Sequence, residues 1–285
     1  MKKIINDPTA VVDEMLDGLA YIHSDLVYRV EGFDIIARKS EKTGKVGLIS
    51  GGGSGHEPSH AGFVGEGMLS AAICGAVFTS PTPDQVLQAI KEADEGAGVF
   101  MVIKNYSGDI MNFEMAQEMA EMEGIEVASV VVDDDIAVED SLYTQGRRGV
   151  AGTILVHKIL GNAARAGKSL TEIKALADEL VKNIHTVGLA LSGATVPEVG
   201  KPGFVLADDE IEFGIGIHGE PGYRKEKMQP SKDLAKELVE KLSQSVELKS
   251  GKKIGILING MGATPLMEQY VFAADVANLL ADAGV

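Results

Sequence analysis

The sequence predicts an α/β protein of two domains: a parallel or mixed sheet with flanking helices in the N-terminal part, and a smaller α/β domain after it. Three observations predict this. Short apolar runs at 46–50, 69–77, 98–104 and 125–132 alternate with stretches of helical periodicity. The alternation breaks at two consecutive helical stretches, 150–166 and 170–185, and strand pattern restarts at Thr186. The length of 285 residues is enough for two domains.

Taken in order, Asp7-Pro8-Thr9 opens a first helix, with Val11, Met15, Leu19 and Ile22 on one face. Residues 28–37 are less regular. The run 46–50 (VGLIS) reads as a buried parallel strand, followed by a helix or loop to about Gly67. A second strand spans 69–77. Ser80-Pro81-Thr82-Pro83-Asp84 begins a helix that reaches Ala93, with Val86, Leu87 and Ile90 apolar. A third strand, 98–104 (GVFMVIK), is followed by a turn over 105–112. Residues 113–122 are helical, with Met115, Met119 and Met122 as core filler. A fourth strand, 125–132, ends at three consecutive aspartates. The helices 150–166 and 170–185 meet at Gly167, which places the domains at 1–185 and 186–285. In the second domain 186–192, 211–217 and 253–259 (KIGILIN) have strand pattern, 234–242 is helical, and Thr264-Pro265 starts a helix to Ala281. Residues 279–285 read as a helix end with a glycine cap where a strand is expected to follow, so the second domain is expected to be truncated at the C-terminus.

Composition bounds the function. Hydrophobic residues are 45% and charged residues 24%, as in soluble globular proteins. Lys and Arg number 26 against 42 Asp and Glu, a net charge of −16. That balance opposes nucleic acid and anionic membrane surfaces as partners. Cys74 is the one cysteine, expected buried and unpaired, and the cytoplasm is the natural compartment. No run approaches ~20 apolar residues, so no membrane span is expected. The start, MKKIINDPTAV, lacks an apolar segment of signal-peptide type.

The stretch 46–58, VGLISGGGSGHEP, organises the chain. It reads as strand, glycine turn and helix start, with Pro58 in the first helical turn. A titratable His56 and a carboxylate at Glu57 then sit beyond a strand end, where α/β sheets bind ligands. The string is not a phosphate-binding P-loop, which needs a Lys and a hydroxyl missing here. Two other places share the pattern of apolar strand, small residues and reactive group. One is Lys104 to Asp109 (KNYSGD), the other Gly216 to Glu220 (GIHGE). The first two stand at strand ends of one sheet, and His218 would reach them from the second domain. Each residue also has a plain structural role open to it: Asp109 as a helix cap, Lys104 as a solvated strand end, His218 as a turn residue. His60 lacks partners at metal-ligand spacing, so no metal site is predicted. His23, His157 and His185 read as structural or exposed, and Arg147-Arg148 as a solvated helix start or an anion contact. Gly260 to Thr264 is a small-residue loop that suits a ligand or a partner surface.

The segments GGGSGHEPSHAGFVGEGML, KNYSGDIMNF and GIGIHGEPG resemble the substrate-binding subunit of dihydroxyacetone kinase in its bacterial, phosphotransferase-dependent form. The resemblance covers essentially the whole chain, and the three motifs lie in the family's order. It implies that His218 holds the ketone covalently as a hemiaminal and that His56 is the acid/base. It implies that Asp109 is catalytic, helping to orient His56, that Asp109 and Lys104 contact the substrate, and that Gly53, Ser54 and Gly55 form the substrate loop. It further implies that this subunit binds dihydroxyacetone but no nucleotide. ADP or ATP and Mg would stay on a separate helical kinase subunit, recharged by a phosphotransferase protein, and the chain would form a homodimer. The chemistry suits the residues: an imidazole is a usable nucleophile toward a carbonyl, and carbonyl addition selects a ketone over glycerol. Two other classes are similar enough to weigh. One is a sensor paralogue that binds dihydroxyacetone and activates a transcription factor. The other is a non-catalytic lipid-binding module of a related two-domain fold.

Overall fold

A computed structural model describes residues 2–285. Six strands form the larger sheet: β1 (Val27–Arg29), β2 (Ile35–Arg38), β3 (Gly47–Ser54), β4 (Ala71–Val77), β5 (Val99–Lys104) and β6 (Val127–Val132). Their order is β1-β2-β4-β3-β5-β6. β4, β3, β5 and β6 run parallel, while β1 and β2 add antiparallel pairs at one edge. The sheet is therefore mixed, within the predicted class.

The parallel strands are largely apolar because both faces of the sheet are covered, with β6 at the edge partly exposed. Successive side chains point to opposite faces. Leu48, Phe100 and Val102 pack with α1 (Val11–Ile22), α4 (Thr153–Arg165) and α5 (Leu170–Leu180), through Leu16, Leu160 and Ile173. Ile49, Met101 and Ile103 face α2 (Pro83–Ala93) and α3 (Ser107–Met122), through Val86, Ile90 and Phe113. Two helices begin at legible signals. At α2, the Thr82 N–H donates to Gln85 Oε1 at 3.3 Å and Pro83 takes the first helical position. At α5, Ser169 and Glu172 exchange hydrogen bonds of 2.9 and 3.3 Å.

A second, antiparallel sheet of order β7-β8-β9 comprises β7 (Leu189–Ala190), β8 (Glu210–Phe213) and β9 (Arg224–Lys227). Leu234 and Leu238 of α6 (Ser231–Ser243) pack on it, and α7 (Leu266–Asp282) packs on α6. Between the sheets Asp134 is a buried tie: it accepts from the N–H groups of Val150 at 2.7 Å and Gly152 at 2.8 Å and from the Thr186 hydroxyl.

Several elements differ from the sequence reading. The glycines do not form a turn: β3 runs through Gly51, Gly52 and Gly53 to Ser54, and no α-helix starts at Pro58. A β-carbon on Gly51 would lie 2.6 Å from the Ile73 carbonyl oxygen, so a bare Cα is needed for β3 to lie against β4 there. The stretch 105–112 is not a turn, because α3 starts at Ser107. Met115 and Met122 are exposed; the inward stripe of α3 is Phe113, Ala116 and Ala120, and only Met119 packs beside it. The helical stretches 150–166 and 170–185 are shorter, the second ending in a 3₁₀ turn at Val181–Asn183. Strand pattern at 186–192 and 211–217 survives only as β7 and β8. β9 was invisible because Arg-Lys-Glu-Lys on an exposed edge carries no apolar signal. Residues 253–259 form no strand: among the described residues none runs alongside to share a ladder, and Ile254 and Ile258 pack on the α6–α7 pair instead.

Phe100 lies wholly buried at the centre of β5. Phe100→Ala is expected to cost about 3–5 kcal/mol, read as a lower denaturation midpoint. A loss under about 1 kcal/mol would contradict the packing described.

Candidate active site

The larger sheet delivers its reactive groups at one edge, as parallel strands do. β3 ends at Ser54 and His56 follows two residues later; β5 ends at Lys104; Asp109 sits in the first turn of α3. From the connection between β8 and β9 comes His218. Its Nε2 lies 3.1 Å from Nε2 of His56. Phe78, just past β4, stacks on His56 with ring centres 4.9 Å apart, and Tyr106 meets the His218 ring edge-on at the same separation. A separate cleft of about 570 Å³ lies along α6, lined by residues from Tyr223 to Gln244.

Burial tunes the groups. Burial, then the charges of Lys104 and His218, hold the His56 pKa down to about 2, so this imidazole is neutral at physiological pH. Asp109 is buried and accepts from the Ser80 hydroxyl; burial pushes its carboxyl up, against Lys104 and that hydrogen bond. Lys104 is buried as well. Burial pushes its ammonium down, opposed by Asp109, Asp134 and Glu220. The bare Cα of Gly52 opens on both groups: a β-carbon there would lie 3.1 Å from Lys104 Nζ and 3.5 Å from Asp109 Oδ2.

The predicted residues divide into two sets. His56, His218, Asp109 and Lys104 converge. Gly53, Ser54 and Gly55 are engaged locally: the Ser54 hydroxyl donates to the Gly75 carbonyl at 2.7 Å, and the Gly55 N–H donates to the Glu57 carboxylate at 3.0 Å. A β-carbon on Gly53 would lie 2.5 Å from the Thr79 nitrogen, so this glycine allows close packing beside Phe78. Arg148 corrects the reading of a solvated helix start: it is wholly buried and ion-paired to Asp135 at 2.7 Å. Gly52, Tyr106 and Glu220 stand inside the three motifs but sequence reasoning gave them no role, and it missed Phe78 and Ser80 altogether; Glu220 carried the plainest signal, a carboxylate two residues from a candidate histidine.

A second imidazole pair lies beneath, with His60 Nδ1 at 2.9 Å from His157 Nε2, both rings buried. Of the two roles open to His157, structural or exposed, the pair shows the structural one. Among the described residues no three His, Cys, Asp or Glu side chains form a metal-ligating group. None of the helices described is long and apolar enough to cross a membrane.

Fold and site together define a two-sheet α/β protein that sets a histidine from each half of the chain at one sheet edge. The Dak1 domain model matches residues 17–285, and the chain belongs to the Dak1 domain family. It is 69% identical over 284 residues to the dihydroxyacetone-binding subunit of the PTS-dependent dihydroxyacetone kinase of Lactococcus lactis, covering 100% of this chain and 86% of that one. It is 46% identical over 281 residues to a coactivator of the dihydroxyacetone kinase operon of the same species, covering 98% and 85%. The crystal structure of the dihydroxyacetone kinase of C. freundii with AMP-PNP and Mg²⁺ superposes with a TM-score of 0.85 at 34% identity, covering 97% of this chain and 51% of that one. The resemblance read in the sequence therefore holds at the level of the family.

Two outcomes follow from this geometry. Burial holds His157 at about 3 and His60 well below the ordinary 6.5, so both stay neutral in the fold while the unfolded chain takes up protons. Their stabilisation is complete above pH 6.5 and falls on acidification, by at most ~1.4 kcal/mol per pH unit per imidazole. Asp109, Asp134 and Asp135, raised by burial, act in the opposite direction. His157→Gln should therefore lose stability less steeply than the parent between pH 6.5 and 5; parallel curves would refute the assignment. Gly53→Ala should displace Phe78 and perturb the His56 ring resonances, with an unperturbed ring as the contrary result.

Proposed function

We propose that this chain is the dihydroxyacetone-binding subunit of a phosphotransferase-dependent kinase and holds its substrate as a hemiaminal on His218. The observation that carries the proposal is the 3.1 Å approach of the His56 and His218 Nε2 atoms, with Asp109 and Lys104 at the adjoining strand end. The 69% identity to the Lactococcus lactis dihydroxyacetone-binding subunit supports it.

In the first step the His218 Nε2 lone pair forms the N–C bond. The carbonyl π pair moves to oxygen, which takes one proton as the ring gives one up, so the adduct is net neutral. An N–C bond is about 1.5 Å long. A carbon bonded to His218 cannot fit within the present spacing, so ketone entry must part the two rings. Lys104 and Asp109 offer a donor and an acceptor to the flanking hydroxyls, and Gly52 leaves them room. In the second step a substrate hydroxyl attacks the γ-phosphorus of a nucleotide held by a partner subunit. His56 takes the hydroxyl proton, the P–O bond to the nucleoside diphosphate breaks, and dihydroxyacetone phosphate results. In this reading the nucleotide and its Mg stay on the partner, which a phosphotransferase protein recharges, and the chain works as a cytoplasmic homodimer.

Intact-mass measurement with and without dihydroxyacetone, coupled to a phosphorylation assay with the donor subunit, tests the roles. His218→Ala should abolish the mass increment. His56→Asn should keep it while turnover falls by about 10²-fold or more. An adduct that survives His218→Ala would overturn the assignment. An adduct without turnover in the parent protein would favour a coactivator role like that of the 46% identical relative.

A further inference from the structure

We propose that Glu220 is a positioning residue that fixes His218 in its Nδ1–H tautomer, so that the Nε2 lone pair faces the ketone. The inference rests on the reading of His218 as the nucleophile.

The geometry is that of a clamp. Glu220 Oε1 lies 3.1 Å from His218 Nδ1, and Oε2 accepts the backbone N–H of the same residue. Both oxygens of one carboxylate are thus held by one histidine. An ionised carboxylate only accepts hydrogen bonds, so the ring nitrogen facing it must carry the proton. A neutral imidazole has one N–H, which leaves the lone pair on Nε2. Carboxylate–imidazole pairs select a catalytic tautomer in the same way elsewhere.

The surroundings keep that carboxylate ionised although its side chain is 1% exposed. Arg148 is the counter-charge. Its Nε and Nη2 hold Asp135 Oδ2 at 2.8 and 2.7 Å, and Nη2 also donates to the Gly214 carbonyl at 2.6 Å. Its Nη1 has no protein partner. A β-carbon on Gly216 would collide with Glu220 Oε2 and lie 2.8 Å from Arg148 Nη1, so the bare Cα of Gly216 lets both side chains close on one point. Burial raises the Glu220 pKa, while the His218 hydrogen bond, a backbone hydrogen bond and the Arg148 charge lower it, and the net shift is downward.

One consequence reaches His56. With the His218 proton on Nδ1, the 3.1 Å contact between the Nε2 atoms requires His56 to be the donor. Once Nε2 of His218 bonds carbon, that acceptor is gone. His56 must then carry its proton on Nδ1 to present a basic Nε2 to the substrate hydroxyl. During addition, the proton the His218 ring gives up is the one on Nδ1, which passes by way of Oε1 to solvent as the new hydroxyl oxygen takes one from solvent, so Glu220 ends ionised and no net proton is taken up.

Nitrogen-15 NMR of the imidazoles in the ligand-free, full-length chain at neutral pH reads the tautomer directly. The expected result is Nδ1–H for His218 and Nε2–H for His56. Glu220→Gln keeps the size of the side chain but offers one acceptor where two are needed. It should shift His218 toward the Nε2–H form and lower adduct yield at limiting dihydroxyacetone by at least about tenfold. An Nε2–H ring in the parent protein, or an unchanged tautomer and adduct yield in a folded Glu220→Gln chain, would overturn the proposal. If the variant does not fold, the parent spectrum decides. The spectrum needs no ligand, so a parent protein that forms no adduct would fail the functional reading while leaving this test intact.

Discussion

The structure depends on bringing two imidazoles, 162 residues apart in the chain, into contact at 3.1 Å. Neither half can place them alone. The larger sheet delivers His56 at the end of β3, and the second sheet delivers His218 between β8 and β9. Relative position is set by the segment between. Arg148 stands on the larger sheet's side and reaches Gly214 across the boundary, and Asp134 ties the end of β6 to Thr186. These buried polar ties are poor sources of stability, since desolvation offsets most of their attraction. Their effect is to fix an orientation, which a purely apolar interface specifies less sharply.

The same economy explains why charges lie buried at the sheet edge. Lys104, Asp109 and Glu220 each sit almost out of water. In that setting a hydrogen bond or a charge acts on its neighbour far more strongly than in solvent. The chain carries a net charge of −16, so the buried cations Lys104 and Arg148 are local exceptions to the overall field. Both lie against carboxylates, Arg148 in an ion pair and Lys104 within the field of Asp109, Asp134 and Glu220.

Much of this was legible in the sequence, and the failures have physical causes. The parallel core was legible because strands buried on both faces are continuously apolar. The four principal site residues were legible because Lys104 ends an apolar strand and His56, Asp109 and His218 each come shortly after one, past a glycine. The glycine run was misread because a glycine needed for close strand packing and a glycine needed for a turn look alike in a sequence. At Gly51 and Gly53 only the neighbouring backbone of Ile73, Phe78 and Thr79 tells them apart. Arg148 was misread because nothing local distinguishes a buried arginine from a solvated one; Asp135 and Gly214 decide it. KIGILIN was read as a strand from its alternation, yet alternation supplies no ladder partner. The β9 edge and the aromatic walls, Phe78 and Tyr106, had no pattern to find.

Membership of the Dak1 domain family and the paired histidines point to one reaction geometry, and a crystal structure of the chain soaked with dihydroxyacetone tests it most directly. The account predicts density continuous from His218 Nε2 to the central carbon of a three-carbon ligand, with the His56 ring moved aside to about 2.6–3.2 Å from a ligand hydroxyl. A ligand bound without that bond, or bonded to His218 with His56 turned into a separate cavity, would contradict it.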